Sequence, residues 1–289
     1  MKQDAFSRYH PGVNFLFFCG AIGFSVVLQH PAYLIAGFLS AGVYYLLLSG
    51  KKGLRTLLSL LPIFVLVSAI NPLFNTNGYH PLFTLFGRPY TLEALYNGMA
   101  VAGMLISTLL WFGCYNKVMT GDKFTALFGN LIPSLSLLLV MVLRLIPGLT
   151  GKAKQIQSAR AAIGKGTFEG SSVKEKLQNG SSTLSALTGW ALEGSVTTAD
   201  SMRSRGYGTG KRTHFQLFPI TIRDFAIFAL LLLLLAGILL LCPTQARFVP
   251  TLRFAPLTWS YSLYWLYLLI PSILHIQEVL LWCSWKSKI

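Results

Sequence analysis

The chain contains 289 residues, of which 53% are hydrophobic and only 11% are charged, whereas a globular protein carries roughly 25% charged residues. This composition excludes an ordinary water-soluble protein and a disordered chain, and it predicts helices buried in a bilayer. The formal net charge of +15 comes from 24 basic and 9 acidic residues. Such an excess predicts either a nucleic-acid partner or cytoplasmic loops, and the distribution of the charges decides between them.

The first two apolar runs of the chain are short. They cover residues 13–28 and 32–48 and are separated by His30-Pro31, a helix-breaking pair. A membrane span needs about 20 residues, with a lower end near 17, so these runs predict either two short spans or one bent or re-entrant hairpin. No small-residue cleavage site follows the first run, so we expect the first helix to remain in the mature protein.

Four further apolar runs follow, which brings the predicted number of transmembrane helices to six. They cover residues 57–70, 92–115, 225–242 and 259–283. A compact basic turn of Lys51, Lys52 and Arg55 precedes the first of them. Proline is expected to stop that run at Asn71-Pro72 and to break the last one at Pro271.

The basic residues orient these helices through the positive-inside rule. With the amino terminus in the cytoplasm, the inside segments are 1–12, 49–56, 116–224 and 284–289, and they hold 21 of the 24 basic residues. Only Arg88, Arg247 and Arg253 are then outside. The predicted fold class is therefore an all-α polytopic membrane protein with about six transmembrane helices and a cytoplasmic helical region.

The sequence of the long cytoplasmic segment predicts two helices. Both are too polar to span the membrane, and both are amphipathic enough that they are expected to pack against the membrane surface, each other or a protein partner. The first begins in the apolar stretch 134–149 and continues with basic residues as far as Lys165. A connector rich in glycine and serine follows, from Gly164 to about Ser182. The second helix is predicted from about Ser182 to Arg205, and it is ended by Gly206, Gly208 and Gly210.

An arginine between small residues lies near the carboxyl end of each of these helices. Arg160 lies in Ala159-Arg160-Ala161, and Arg205 lies in Ser204-Arg205-Gly206. Small neighbours let a partner approach the helix backbone, while the guanidinium group reaches a carboxylate or carbonyl beyond it. In the alternative interpretation these arginines face lipid phosphate or favour a helix carboxyl terminus.

Four stretches of the sequence resemble one family of membrane transport subunits. They are HPGVNFL at 10–16, NPLF at 71–74, LRLIP at 143–147 and, most specifically, TADSMRSRGYG at 198–208. Together they resemble the transmembrane T component of energy-coupling factor transporters, the group that includes the cobalt-transport permease subunit. The resemblance extends from about residue 10 to residue 230 and does not include the last predicted span.

The resemblance implies a non-catalytic subunit of an ATP-driven transporter that takes up a vitamin or a metal ion. In that family two cytoplasmic coupling helices dock onto a pair of ABC-type ATPase subunits, and the membrane helices hold a separate substrate-binding membrane subunit. Carried over by position, the docking motifs are Ala159-Arg160-Ala161 and Ser204-Arg205-Gly206. The first motif departs from the family pattern, because Ala161-Ala162 stands where the family often has glycine.

The implied organisation places transmembrane helices 1–4 in residues 1–115, the coupling helices in 116–224 and transmembrane helices 5 and 6 in 225–289. The protein is then expected to be a multi-pass protein of a bacterial plasma membrane, in contact with the lipid bilayer. No cofactor or metal is expected, because the cysteines and histidines of the chain form no ligand pattern. The transported substrate is not implied, because a different subunit binds it.

Three other interpretations were weighed against this one. The segment 206–213 superficially suggests a phosphate-binding loop, but Arg205 stands where the first glycine belongs and Arg212 where the hydroxyl residue belongs. An intramembrane enzyme or an ion pathway could use His275 and Glu278, which share a helix face. A membrane anchor that binds nucleic acid would need aromatic residues interleaved with the basic ones, and few are present.

Overall fold

The computed structural model of the chain describes residues 5–75, 80–85, 88–128, 133–166, 172–210, 218–241, 246–247, 253–254 and 259–286. These residues form nine α-helices: α1 (Pro11–Val27), α2 (Pro31–Ser49), α3 (Lys51–Phe74), α4 (Leu92–Val118), α5 (Gly121–Phe128), α6 (Pro133–Ala162), α7 (Val173–Ser204), α8 (Ile222–Leu241) and α9 (Ser260–Lys286). Two short antiparallel hairpins pair β1 (Pro81–Leu85) with β2 (Arg88–Thr91), and β3 (Ala246–Arg247) with β4 (Arg253–Phe254). The predicted fold class is confirmed: the chain is an all-α, multi-pass membrane protein.

Six of these helices are long and apolar enough to cross a bilayer, but they are not the six that the sequence predicts. They lie within α2, α3, α4, α6, α8 and α9. The predicted span 13–28 forms α1, whose 17 residues extend about 25 Å against about 30 Å of hydrocarbon. Conversely, Ser136–Ala162 of α6 meets the criteria of length and composition, because its apolar first half outweighs the basic second half.

Proline and the basic turn do not end the helices where the sequence predicts. Gly50, with a φ of 57°, makes the connection between α2 and α3 alone, so Lys51, Lys52 and Arg55 belong to α3 rather than to a turn. α3 continues through Pro72, and α9 continues through Pro271. Backbone groups have no water partner inside a bilayer, so a helix that loses one hydrogen bond at proline retains the others by continuing.

The chain divides into two compact units. Unit 1 consists of Met1–Phe124 and Phe218–Ile289, and unit 2 consists of Thr125–Leu217. Unit 1 therefore contains α1 to α4, α8 and α9, with α4 packed against α1, α2 and α3. Unit 2 contains α6 and α7, which pack against each other.

Aromatic side chains form the core of unit 1 around Trp111, in the last third of α4. Its ring meets those of Phe17 and Phe18 edge to face, at centroid distances of 5.5 and 6.3 Å. Tyr267 of α9 stacks on Phe17 at 5.2 Å and donates its hydroxyl proton to the Phe17 carbonyl oxygen at 2.9 Å. Each buried aromatic pair contributes about 0.5–1.5 kcal/mol beyond the burial of its area, so these contacts hold α1, α4 and α9 together.

One end of unit 1, called the basic end below, gathers the starts of α1, α3 and α8 and the ends of α2, α4 and α9. Asp224 at the start of α8 accepts a hydrogen bond from the backbone N–H of His10, just before α1, at 3.0 Å. Lys117 near the end of α4 donates to the hydroxyl oxygen of Ser49 at the end of α2. Lys51, Lys52 and Arg55, in the first turns of α3, lie at this end.

The opposite end, called the hairpin end, carries both β-hairpins and the starts of α2, α4 and α9. The Tyr33 hydroxyl of α2 and the Ser260 hydroxyl of α9 lie 3.4 Å apart. Nδ1 of His80 lies 2.7 Å from a carboxylate oxygen of Glu93, in the first turn of α4. The three arginines that the positive-inside rule places outside all belong to the strands of this end.

Residues 13–48 form two separate helices rather than a bent pair at one surface. α1 runs along α9 from an ion pair of Arg8 and Glu278, 2.7 Å long, at the basic end to the rings of Phe24 and Tyr264, 6.3 Å apart, towards the hairpin end. α2 returns in the opposite direction. The structure thus forms two antiparallel helices here, and of these only α2 is long enough to count as a candidate span.

Single-cysteine labelling tests which end faces the cytoplasm. In a background without the four native cysteines, we expect Thr84→Cys at the hairpin end to react with a membrane-impermeant maleimide on intact cells. Lys51→Cys at the basic end and Ile163→Cys after α6 should react only after lysis, because both lie in segments rich in basic residues. Outside labelling of Lys51→Cys would invert the topology, and outside labelling of Ile163→Cys alone would make α6 a span.

Candidate functional site

α6 and α7 form an antiparallel helical hairpin in unit 2. Nη2 of Arg160, near the end of α6, donates to Oδ1 of Asn179 on α7 at 3.1 Å. Further from the turn, Nζ of Lys152 lies 5.9 Å from the ring centroid of Trp190, at the outer limit of a cation–π contact. The pairing of an earlier α6 residue with a later α7 residue shows that the two helices run in opposite directions.

Both helices of unit 2 end in the same hydrogen-bonded turn around a glycine. At the end of α7 the N–H of Tyr207 donates to the Met202 carbonyl at 3.0 Å, and the N–H of Gly206 donates to the Arg203 carbonyl at 2.9 Å. Gly206 has a φ of 81°. This Schellman motif requires such a left-handed backbone, which residues with a side chain rarely adopt. The prediction that Gly206 ends the second helix is confirmed.

The end of α6 repeats this geometry without a glycine next to its arginine. Lys165 donates to the Arg160 carbonyl at 2.9 Å, and Gly164, with a φ of 76°, donates to the Ala161 carbonyl at 3.0 Å. Arg160 therefore lies inside the last turn of α6, whereas Arg205 is the residue that caps α7. The two predicted motifs do not occupy equivalent positions on their helices.

α7 begins at Val173, nine residues before the predicted start, so the predicted connector is wrong from Ser172 onward. The carboxylate of Glu175 accepts the backbone N–H of Ser172 at 3.1 Å, which satisfies one of the free donors of the helix start. Gly180 and Ser182 lie inside the helix, because this cap and the packing against α6 outweigh the low helix propensity of glycine. Gly170 and Ser171 lie outside the described residues.

Arg205 presents its charge to the surroundings. Its side chain is exposed, and within the described part of the chain its guanidinium group has no hydrogen-bond or ion-pair partner. The neighbouring Ser204 turns its hydroxyl back onto the helix, where it donates to the carbonyls of Asp200 and Ser201 at 3.0 Å each. Ser204 and Gly206 thus leave the space around the arginine open, and the guanidinium can bind a carboxylate or carbonyl of another molecule.

Arg160 is engaged within unit 2. It is half-buried, and the Asn179 that accepts its hydrogen bond donates in turn to the Gly166 carbonyl at 3.2 Å. The three groups link α6, the turn and α7. Ala159 and Ala161 on either side of Arg160 are exposed. Nothing in the sequence indicates Asn179, because it lies 19 residues from Arg160 in a segment whose glycines and serines predict a connector.

The two arginines mark opposite ends of the hairpin. Arg160 is held at Asn179, and Arg205 follows 26 residues further along α7. At 1.5 Å per residue this separation is about 39 Å along the helix axis. A single binding surface of ordinary size does not include both residues, so the two arginines belong to separate surfaces of the hairpin.

α7 also exposes apolar side chains along most of its length. The exposed side chains are those of Val173, Leu177, Leu184, Leu192 and Val196. The predicted apolar pattern of this helix divides accordingly, since Leu187 and Ala191 are partly buried while Leu184 and Val196 are exposed. An arginine at the end of a helix with an exposed apolar face is an arrangement typical of protein interfaces, in which arginine is enriched.

Of the polar pair in the last helix, His275 and Glu278, the glutamate contacts the amino-terminal segment. Glu278 is occupied by the ion pair with Arg8. No group of three or more histidine, cysteine, aspartate or glutamate side chains that could hold a metal ion occurs among the described residues. The contacts of Glu278 are therefore those of a residue that joins the amino-terminal segment to α9.

Comparison with known proteins adds no assignment. No protein-family profile matches the chain, and no curated protein matches it. The function is consequently argued from the chain's own residues and their geometry.

The Arg160–Asn179 contact makes a measurable prediction about the rigidity of unit 2. Arg160→Ala and Asn179→Ala should each speed amide hydrogen exchange in residues 160–182 about fivefold, because a hydrogen bond to a charged, partly exposed group contributes about 1 kcal/mol. The double variant should be no worse than either single one. Lys154→Ala, an exposed change on the same helix, is the control. Additive effects of the two changes would show that the groups do not interact.

Proposed function

We propose that this protein is the transmembrane energy-coupling subunit of an ECF-type ABC transporter, which takes up a vitamin or a metal ion across a bacterial plasma membrane. In this proposal the helices of unit 1 hold a substrate-binding membrane subunit, and the hairpin of unit 2 receives the motion of two ABC-type ATPase subunits. The observation that carries the proposal is the guanidinium of Arg205 at the glycine-capped end of α7, which is exposed and has no partner among the described residues.

The spacing of the two motifs supports two ATPase subunits rather than one. Ser204-Arg205-Gly206 and Ala159-Arg160-Ala161 lie at opposite ends of the helical hairpin, about 39 Å apart by helix rise. Each end can then contact one member of an ATPase pair. When the pair closes on ATP, its two contact points change their separation, and the hairpin between them is displaced.

The secondary structure of unit 2 suits a part that transmits force. α7 has 32 residues and α6 has 30, and each helix ends in two capping hydrogen bonds around a glycine with positive φ. Capping hydrogen bonds keep the last turn of a helix ordered, so a force applied at that end displaces the whole helix instead of unwinding its last turn. The exposed Arg205 would then hold the helix in its groove on the ATPase by charge-assisted hydrogen bonds, worth about 1.5–3 kcal/mol each.

The alternative function, an intramembrane enzyme or an ion pathway, has less support from the contacts. It depends on His275 and Glu278, and the carboxylate of Glu278 is bound by Arg8 at 2.7 Å. A proton-carrying or catalytic carboxylate inside a membrane normally faces a cavity or a second titratable group. The contact with Arg8 favours a structural role for Glu278.

Partner dependence tests the proposal directly. The purified chain should neither bind nor hydrolyse ATP, and it should copurify with an ABC-type ATPase pair encoded in the same genome when these are coexpressed. ATP binding is not expected because the segment 206–213 departs from the phosphate-loop pattern at Arg205 and Arg212, and the amides of Gly206 and Tyr207 are already used in capping α7. ATP hydrolysis by the isolated chain, free of contaminating ATPase, would refute the proposal, and so would failure to copurify with any such pair.

A further inference from the structure

Two buried charged side chains lie beside the two places where the chain passes between unit 1 and unit 2. The chain leaves unit 1 after Phe124 and returns to it at Phe218. Lys123 lies one residue before the first of these crossings, and Asp224 follows the second, in the first turn of α8. Each of the two is only 5% exposed. Charged groups are rarely buried to this extent unless hydrogen bonds satisfy them, so the partners of these two side chains fix the local structure.

Lys123 of α5 is held by the amino-terminal segment, residues 5–10. Its Nζ donates to the hydroxyl oxygen of Ser7 at 2.8 Å and to the Ser7 carbonyl oxygen. It also donates to the carbonyl oxygen of Val118, at the end of α4, at 3.0 Å. These three oxygens match the three protons of an ammonium group, so Lys123 ties the start of α5 to Ser7 and to α4.

Asp224 of α8 is held by the same segment. One of its carboxylate oxygens accepts the backbone N–H of His10 at 3.0 Å. The other accepts the N–H and the hydroxyl proton of Thr221 at 2.9 and 2.6 Å. The Cα atoms of Ser7 and His10 are at most about 11 Å apart, since consecutive Cα atoms are about 3.8 Å apart. One short stretch of chain thus binds the residues beside both crossings.

The amino-terminal segment is itself fixed to the helices of unit 1. Phe6 is fully buried and meets the rings of Phe17 and Phe18 edge to face, at centroid distances of 5.3 and 6.2 Å. Arg8 forms the ion pair with Glu278 of α9. The segment therefore contacts α1, α5, α8 and α9, and it cannot move along one of these helices without breaking a contact to another.

We propose that the amino-terminal segment acts as a clasp, which fixes the two crossings relative to each other and to α1 and α9. Buried charged hydrogen bonds suit this role, because an ammonium or carboxylate group that leaves its partners is left unsatisfied, whereas apolar contacts can slide. A displacement carried by the chain at either crossing then reaches the helices of unit 1 instead of being absorbed by local movement. The use of this displacement for transport rests on the proposed function, whereas the clasp itself does not.

Amide hydrogen exchange of the full-length protein in detergent tests the clasp through an effect at a distance. Lys123→Met should speed exchange of the His10 amide about tenfold, the change expected when hydrogen bonds to a charged group are lost, although Lys123 binds Ser7 and Val118. Lys52→Met is the matched control, since Lys52 is an exposed lysine at the same end of unit 1. An unchanged His10 amide in Lys123→Met would overturn the proposal.

Two further variants make the exchange test independent of one substitution. Asp224→Ala removes the acceptor of the His10 amide, and it should speed exchange at residues 121–124 of α5. Ser7→Ala removes only the hydroxyl acceptor of Lys123. It should speed exchange of the His10 amide by a smaller factor, and it repeats the test if Lys123→Met is not recovered as folded protein. Exchange in α5 that is unaffected by Asp224→Ala would overturn the proposal.

A lengthened segment shows whether the effect travels through the clasp. Two glycines inserted between Arg8 and Tyr9 leave both polar contacts possible but remove the fixed spacing between them. In this background Lys123→Met should still speed exchange in α5, and it should no longer affect the His10 amide. An effect on His10 that persists with the insertion would overturn the proposal, because it would pass through the helical bundle instead of the segment.

Uptake by the coexpressed transporter separates the clasp from the proposed function. The insertion variant should copurify with the ATPase pair, and the complex should hydrolyse ATP, but uptake should be lost because the two crossings no longer move together. Normal uptake by this variant would overturn the role of the clasp in coupling. Absence of a complex with the unmodified chain would refute the energy-coupling function, and the exchange results would still decide whether the clasp exists.

Discussion

Reversal of the charge at Arg205 should abolish both the association with ATPase subunits and transport. Arg205→Glu removes the exposed guanidinium at the end of α7 and puts a carboxylate against a partner surface that the proposal requires to be acidic or rich in carbonyls. Loss of a charged pair in a desolvated interface costs about 2–5 kcal/mol, which lowers affinity by at least about 30-fold. Pull-down after coexpression and uptake in cells would measure the two losses.

The variants that accompany Arg205→Glu identify the cause of its effect. Lys174→Glu is the matched charge reversal, since Lys174 is exposed in the first turn of the same helix, and an exposed charge contributes only about 0–1 kcal/mol. Arg160→Glu should impair docking less specifically, because it also breaks the contact with Asn179. Normal complex formation and normal uptake by Arg205→Glu would contradict the coupling role and leave the basic segment as a surface facing lipid.

The membrane architecture could be predicted from the sequence because the hydropathy of consecutive residues identifies the helices, and the charge of the segments between them indicates the orientation. Each of the six predicted apolar runs lies in a helix of unit 1, and the three arginines placed outside belong to the strands of one end. The helix limits were less predictable. Pro72 and Pro271 lie inside helices, since sequence rules for proline were derived where water can satisfy a broken hydrogen bond, and a bilayer offers none.

The candidate site was predictable only in its local part. The end of α7 at Gly206 follows from a glycine after a periodic helix, which is a signal within a few residues. The difference between Arg205 and Arg160 is not local, because it depends on Asn179 reaching across from another helix. An apolar groove between α2, α3 and α4 was likewise unpredictable, since its lining comes from three helices.

Gly98→Leu should destabilise unit 1 far more than the same substitution five residues later. Pro72 has no N–H, so the Ser68 carbonyl of α3 lacks its helical partner, and Gly98 of α4 packs onto that carbonyl. A Cβ at Gly98 would lie 2.6 Å from the Ser68 oxygen and 3.0 Å from Cβ of Asn71. The nearer atom belongs to the backbone and cannot rotate away, so α3 and α4 must separate.

The expected result is a melting temperature about 10 °C lower in detergent for Gly98→Leu, or loss of the monodisperse species, since overpacking of a tight contact costs about 1–3 kcal/mol or more. Gly103→Leu on the same helix should melt like the unmodified protein, because a Cβ at Gly103 would meet no atom within 4 Å. The two variants have the same composition and the same helix propensity, so they differ only in what the leucine meets. Equal melting temperatures would show that α4 does not approach the carbonyl of Ser68 as the structure places it.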